Sequence, residues 1–481
     1  MSKKRKPSDL FSPLASEDRL HPSFNHVRVE NAAEPARIMM NQVYRDLPDP
    51  DGNFAQQFQT SGFDARTFEL YLYAYLTSAG YDVRREKPYP DFIVSRSGVE
   101  CAIEATTANA PSTPLPGTAP LDKGRISAKQ LRQKVDHELP IRFGSPLKSK
   151  LDKRYDGKPY WELEHCKDMP FVVAIEAFHE AESLFFTSSA LGNYLYGRKS
   201  PPRWTKSGRL FLTAVKLYEH RHRGKVIPSH FFGQPDTQHV SAVLFTNSGT
   251  WSKFNRMGYQ AGYHRGNIMM FRRGTCLSSD PNSAIPSEFG YDMDFPPCVE
   301  TWAQGLVVFH NPNAVKPLPP HYFRGAVTHY FKEGRLIIDV PSTKLLPFAS
   351  LTVIVGVEDP DLEPNAHVRK GIRSIRLDEF EALGPPRPCR TLTVSQEKEW
   401  FASDNLKVVG TVVQDLVDSD WFYVLFIRKS GGGLKTEDME INIDKREVAR
   451  HLLLDAIERR IRKFGTRRTR KRRRTRSASP D

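Results

Sequence analysis

Residues 90–107 read Pro-Asp-Phe-Ile-Val-Ser-Arg-Ser-Gly-Val-Glu-Cys-Ala-Ile-Glu-Ala-Thr-Thr, and the organisation of the chain is read outward from them. Two β-prone runs surround the short Gly-containing turn Ser95–Gly98, the signature of an antiparallel hairpin. On the second strand Val99, Cys101, Ile103 and Ala105 alternate with Glu100, Ala102, Glu104 and Thr106, so the two sets face opposite sides of a sheet. Asp91 enters the first strand and Glu104 lies late on the second, so the hairpin can bring their carboxylates together. Two converging carboxylates and a backbone carbonyl, here that of Ala105, suit a hard cation such as Mg²⁺ (or Mn²⁺), which keeps waters and accepts phosphate oxygens. The plainer alternative is that Glu100, Ala102, Glu104 and Thr106 form the wet face of the hairpin.

Upstream lies FDARTFELYLYAYLTSAGYDV (63–83). Phe68, Leu72, Tyr75, Leu76 and Ala79 share one face at helical spacing, with Glu69 at its border. Asp64 is the expected N-cap and Gly80 the expected stop. A helix with Glu69, then Pro90-Asp91, then Glu104-x-Thr106 resembles the PD-(D/E)xK restriction-endonuclease-like superfamily. FELYLYAYLTSAGYDV in particular is similar to the first helix of Mrr-like nucleases. The resemblance covers roughly residues 61–247. It implies an α/β fold with a restriction-endonuclease-like mixed-sheet core, metal held by Glu69, Asp91, Glu104 and Ala105, and hydrolysis of DNA phosphodiester bonds, as in defence or mobile-element systems.

The family's lysine falls on Thr106, a departure from the pattern. A lysine from elsewhere would have to stand in for it. RFGSPLKSKLDKRY (142–155) offers Lys148, Lys150 and Lys153 on an expected helix, and Lys87 precedes Asp91. Lys148 or Lys150 is the favoured substitute, against a solvated helix face as the alternative. Without one, the chain would be a catalytically inactive nuclease-fold protein acting as a nucleic-acid-binding or scaffolding subunit.

Charge is concentrated at the ends. There are 70 Lys and Arg against 56 Asp and Glu, a formal charge of +14. Lys3, Lys4, Arg5 and Lys6 together with twelve cations in residues 459–476 account for sixteen of the positive charges, leaving 54 basic and 56 acidic residues in the body. The expected disordered tail, 464–481, carries Arg467, Arg468, Arg470, Lys471, Arg472, Arg473, Arg474 and Arg476, suited to phosphate contacts with DNA or another nucleic acid. Nuclear import and simple solubility are the other readings of such runs.

Residues 1–60 read as a polar arm with one short helix, and 61–350 as the main domain, with irregular wrapping segments over 276–320. MPFVVAIEAF (169–178) and SAVLFTN (241–247) read as buried strands. Residues 358–390 read as a linker and 391–463 as a smaller α+β domain offering a surface for a protein partner. Its strands are LKVVGTVVQDL and DWFYVLFIRK, and its helix is DKREVARHLLLDAIERRI.

Apolar runs such as FVVAI are too short to span a bilayer, so no membrane association is expected. No secretory signal is evident. Five scattered cysteines without a CxxC pair fit a reduced interior, so a cytoplasmic location is expected, with nucleoid association or, in a eukaryotic cell, the nucleus as alternatives. His220 and His222 could share a metal but have only Glu219 near them in sequence. Asp415, Asp418 and Asp420 read as a turn, and Ser430–Gly433 lacks the residues of a phosphate loop.

Overall fold

The computed structural model describes residues 7–109, 133–178, 183–263, 268–294, 299–343 and 345–356. Toward the C-terminus it describes 372–374, 386–387, 394–403, 408–415, 421–428, 434–443, 453 and 457. The fold is mixed α/β and divides into two compact units. The first comprises residues 1–263, 274–288 and 298–351, and the second 264–273, 289–297 and 352–481. Among the described residues no helix is long and apolar enough to cross a membrane.

The first unit is built on an eight-stranded sheet whose spatial order follows the chain: β1 (Asp82–Arg84), β2 (Phe92–Arg96), β3 (Val99–Asn109), β4 (Phe171–Phe178), β5 (Ala242–Thr246), β6 (Leu306–His310), β7 (Val327–Lys332) and β8 (Arg335–Asp339). β1, β2 and β3 form an antiparallel meander. β3, β4 and β5 run parallel, and β5–β6 and β7–β8 are antiparallel around a parallel β6–β7 pair. The hairpin expected at 90–107 is present. Ser97 (φ 51°) and Gly98 (φ 78°) form its two-residue turn, the left-handed geometry that matches strand twist.

Helix α4 (Phe63–Ser78) precedes β1. It starts at Phe63, so Asp64 lies in its first turn and does not cap it. It ends as expected at Gly80 (φ 80°), where Gly80 N donates to Thr77 O (3.1 Å) and Tyr81 N to Leu76 O (3.0 Å), a Schellman closure that satisfies the last carbonyls. α4 is not one-sided: Thr67, Phe68, Glu69, Leu70, Tyr71, Leu72, Tyr75 and Leu76 are all buried.

The cover on its outer side comes from residues 7–60, which correct the expectation of a polar arm. This stretch forms α1 (Pro22–Val29), α2 (Glu34–Asp46) and α3 (Phe54–Gln59). Leu10, Phe11, Phe24, Val27, Met40, Phe54 and Phe58 are buried in the same core as α4. Its apolar residues are spaced too widely among prolines and acids to show a continuous stripe, yet each finds a partner once the helices fold back.

The opposite face of the sheet is covered by α5 (Leu139–Asp152) and α6 (Ser183–Tyr196). α7 (Trp251–Gln260) follows β5. The segment expected as irregular over 276–320 contains β6, an inner strand of five residues too short to show a period.

In the second unit the strands expected over 391–463 are present as Val408–Asp415 and Trp421–Arg428, neighbours in a six-stranded sheet. Ile372–Ser374 and Pro386–Arg387, inside the expected linker, also belong to that sheet. Of the expected terminal helix only Leu453 and Ile457 are described, both helical and buried. Asp418, Asp420, Ser430–Gly433 and the tail cations Arg467, Arg468, Arg470, Lys471, Arg472, Arg473, Arg474 and Arg476 lie outside the described residues.

Candidate active site

The hairpin closes around its two acids. Asp91 N donates to Glu104 Oε2 (3.2 Å), and Ala105 N donates to Asp91 Oδ2 (2.8 Å). Each carboxylate is thus anchored by the backbone beside the other. Glu104 is only 5% exposed, so it does not belong to a wet face. Glu100 is exposed and pairs with Arg84. The difference lies in what covers β3: α5 and the Tyr160 segment pack over Glu104 but not over Glu100.

Glu104 Oε1 receives two donors, Lys150 Nζ (2.6 Å) and the Tyr160 hydroxyl (2.7 Å). Of the lysines expected on this helix, Lys150 reaches the acids. Lys148 is 56% exposed and pairs with Asp152 (2.8 Å) one turn on. Lys153 lies over the Tyr155 ring (5.5 Å). Thr106 lies on β3 with no cation of its own. Burial alone would lower the Lys150 ammonium, but Glu104 and Asp91 outweigh it and raise its pKa, so it stays charged. Asp91 is driven the other way for a carboxylate: burial first, then the charges of Glu104 and Glu69, push its pKa well above the usual range.

Glu69 is occupied. Arg66 Nη1 lies 2.6 and 2.7 Å from its two oxygens, and Arg85 Nη2 bonds Oε2. Arg85 also lies 3.8 Å from Asp91 Oδ1, so it links the helix acid to the hairpin acid. A ligand role for Glu69 would require it to shed guanidinium partners.

Arg85, Arg66, Tyr155 and Tyr160 were not identified from the sequence. Arg85 carries a signal, since it lies six residues before Asp91 in VRREKPYPD. Tyr160 carries none, being 56 residues from the Glu104 it touches. The Tyr160 hydroxyl continues to the Tyr155 hydroxyl (3.3 Å), and the Tyr155 ring stacks on Tyr89 at 3.6 Å between centroids.

A divalent metal fits part of this set. Asp91 and Glu104 present hard oxygen donors side by side, Glu104 Oε2 on Asp91 N and Asp91 Oδ2 on Ala105 N, and burial with the nearby Glu104 and Glu69 raises the Asp91 pKa. Among the described residues no group of three or more His, Cys, Asp or Glu is arranged to hold a metal by itself, so an ion here would take its remaining ligands from water or substrate.

The His220–His222 reading is corrected. His220 is fully buried, with Nδ1 2.6 Å from Asp136 O and Nε2 2.9 Å from Ser229 Oγ. Both ring nitrogens are therefore engaged.

No protein-family model, curated protein or solved structure matches the chain, so the chemistry of this centre rests on its own geometry.

Proposed function

We propose that the chain is a divalent-metal-dependent nuclease of the restriction-endonuclease-like fold, hydrolysing DNA phosphodiester bonds. Asp91 and Glu104 would be its metal carboxylates, with Lys150 as the cation beside them. The observation that carries this reading is the contact of Lys150 with Glu104 at 2.6 Å, next to an Asp91 anchored on Ala105. It supplies from a helix the positive charge that Thr106 lacks. The succession of α4, the β2–β3 hairpin, α5 and the parallel strand β4 supports the same reading.

Bound Mg²⁺ or Mn²⁺ would polarise a phosphoryl oxygen and acidify a coordinated water. Lys150 places a permanent positive charge where the phosphorane charge would develop. Tyr160 holds Glu104 Oε1, leaving Oε2 turned toward Asp91. Arg85, held by Glu69, fixes the far side of Asp91. The test is Mg²⁺-dependent cleavage of DNA by wild type, Asp91→Ala and Glu104→Ala. Activity in wild type and its loss in both variants supports the assignment, and cleavage persisting in both overturns it.

A second reading is a silent nucleic-acid-binding protein of the same fold. It is favoured by the pairing of the acids Glu69, Asp91 and Glu104 with Arg66, Arg85 and Lys150. Calorimetric titration with Mn²⁺ separates the two, because only the first predicts binding that Asp91→Ala removes.

A further inference from the structure

Residues 198–225, between α6 and β5, read RKSPPRWTKSGRLFLTAVKLYEHRHRGK and contain nine Lys or Arg against a single acid, Glu219. The 54 to 56 balance of the body hides this cluster, because the remaining body is correspondingly acidic. The segment folds as three small antiparallel pairings. Pro202–Trp204 pairs with Leu210–Leu212, Arg198–Lys199 with Val215–Lys216, and Glu219–His222 with Lys225–Pro228. Its outermost turns hold Gly208 (φ 79°) and Arg223-Gly224 (φ 46° and 80°), and cations stand at both turns as Lys206, Arg209 and Arg223.

Two properties separate this arm from an ordinary solvated hairpin. First, its apolar groups face water: Trp204 is 51% exposed, Leu212 60% and Tyr218 79%. Second, its cations are largely uncommitted. Lys199 pairs with Asp136 and Arg221 with Glu219, but Arg203, Lys206, Arg209, Lys216 and Arg223 have no acidic partner among the described residues. Exposed rings interleaved with unneutralised Lys and Arg match a nucleic acid, which offers phosphates to the cations and flat bases or sugars to the rings. A two-stranded ribbon is also narrow enough for the major groove of a duplex.

The arm is anchored at its root. His220 and Ile227 face inward, and Lys225 Nζ bonds Ser145 Oγ on α5 (2.7 Å). The arm packs closely on the helix here: a Cβ on Gly144 would lie 2.9 Å from Ile227 Cδ1. The outer hairpin is braced by Asn282, whose carbonyl accepts from Trp204 Nε1 (3.1 Å) and whose Oδ1 accepts from Leu210 N (3.0 Å). The same helix carries Lys150 five residues beyond Ser145, about 7–8 Å along its axis.

We propose that residues 198–225 form a nucleic-acid-binding arm, gripping the phosphate backbone through Arg203, Lys206, Arg209, Lys216 and Arg223 and packing Trp204 and Tyr218 against bases or sugars. The inference is independent of cleavage at Asp91 and Glu104, and the experiment keeps them apart by working in EDTA.

The full chain is compared with a variant carrying Arg203→Ser, Lys206→Ser, Arg209→Ser, Lys216→Ser and Arg223→Ser. Fluorescence anisotropy on a labelled 30-mer is recorded as single strand and as duplex across a KCl series. Far-UV circular dichroism and the thermal midpoint confirm that the variants fold, and the hairpin-only triple Arg203→Ser/Lys206→Ser/Arg209→Ser serves if the fivefold variant does not. The expected result is at least a tenfold weaker Kd near 0.1 M salt and a log–log salt slope shallower by about 4.5 on duplex, roughly 0.9 per lost phosphate contact. Trp204→Ala/Tyr218→Ala should weaken binding with the slope unchanged, and unchanged affinity there overturns the role of the rings. An unchanged Kd and slope in the fivefold variant overturns the proposal. So does retained nucleic-acid binding with loss of binding to phosphatidylserine vesicles, which would assign the arm to a lipid surface.

Discussion

Lys150 Nζ lies 2.6 Å from Glu104 Oε1 across 46 positions of sequence, and this contact brings the cation of the centre from a helix instead of from the strand that carries the acid. The helix places it there because Leu147 and Leu151, flanking Lys150 on α5, are buried in the core on this side of the sheet. Lys148 is turned by two residues and points outward.

Replacing Lys150 with Met should lower metal-dependent cleavage by about 10²–10³, the usual consequence of removing one charge-stabilising donor. Lys148→Ala should leave it within twofold. Single-turnover rates on one DNA substrate check both, and equal losses would mean that the two lysines act only through general charge.

Glu69→Ala should destabilise the fold by about 3–5 kcal/mol, because Arg85 would remain buried without its principal partner. If Glu69 is a clamp and not a ligand, Mn²⁺ affinity in the folded variant should change far less than in Asp91→Ala. Denaturant unfolding and calorimetry read the two effects separately.

Tyr160→Phe removes a hydrogen bond to a buried carboxylate and should cost about 1.5–3 kcal/mol. Lys150 remains on the same oxygen, so Glu104 keeps a charged partner and cleavage should fall less than in Lys150→Met. A larger loss than in Lys150→Met would place the Tyr160 hydroxyl in direct contact with the reacting groups.

Asp64, in the first turn of α4, has its carboxyl pushed up by burial to about 6. A raised carboxylate contributes stability that is complete below its unfolded pKa and is lost as pH rises through its folded pKa. Asp64→Asn removes that loss, so its gain in unfolding free energy should be greater at pH 8 than at pH 4.5 by about 2 kcal/mol. Denaturant titrations at the two pH values check this, and an equal gain at both would exclude titration of Asp64 as the cause.

What the sequence determined by itself is local. The β2–β3 hairpin follows from alternation around a Ser97-Gly98 turn, the end of α4 from Gly80, and the proximity of Asp91 to Glu104 from the register of one hairpin. The polarity of the chain ends is a matter of counting, and the density of cations over 198–225 was open to the same count.

Tertiary structure decided the rest. That residues 7–60 are core and not an arm depends on α4 offering a second apolar side, and α4 buries more of its surface than its one-sided pattern announces. That Glu104 is buried, that Lys150 and not Lys148 meets it, and that Glu69 is held by Arg66 and Arg85 all depend on contacts between separately formed elements. Backbone alternation and turn geometry act over a few residues, whereas the burial and pairing of a charged side chain are set by whichever distant surface packs over it.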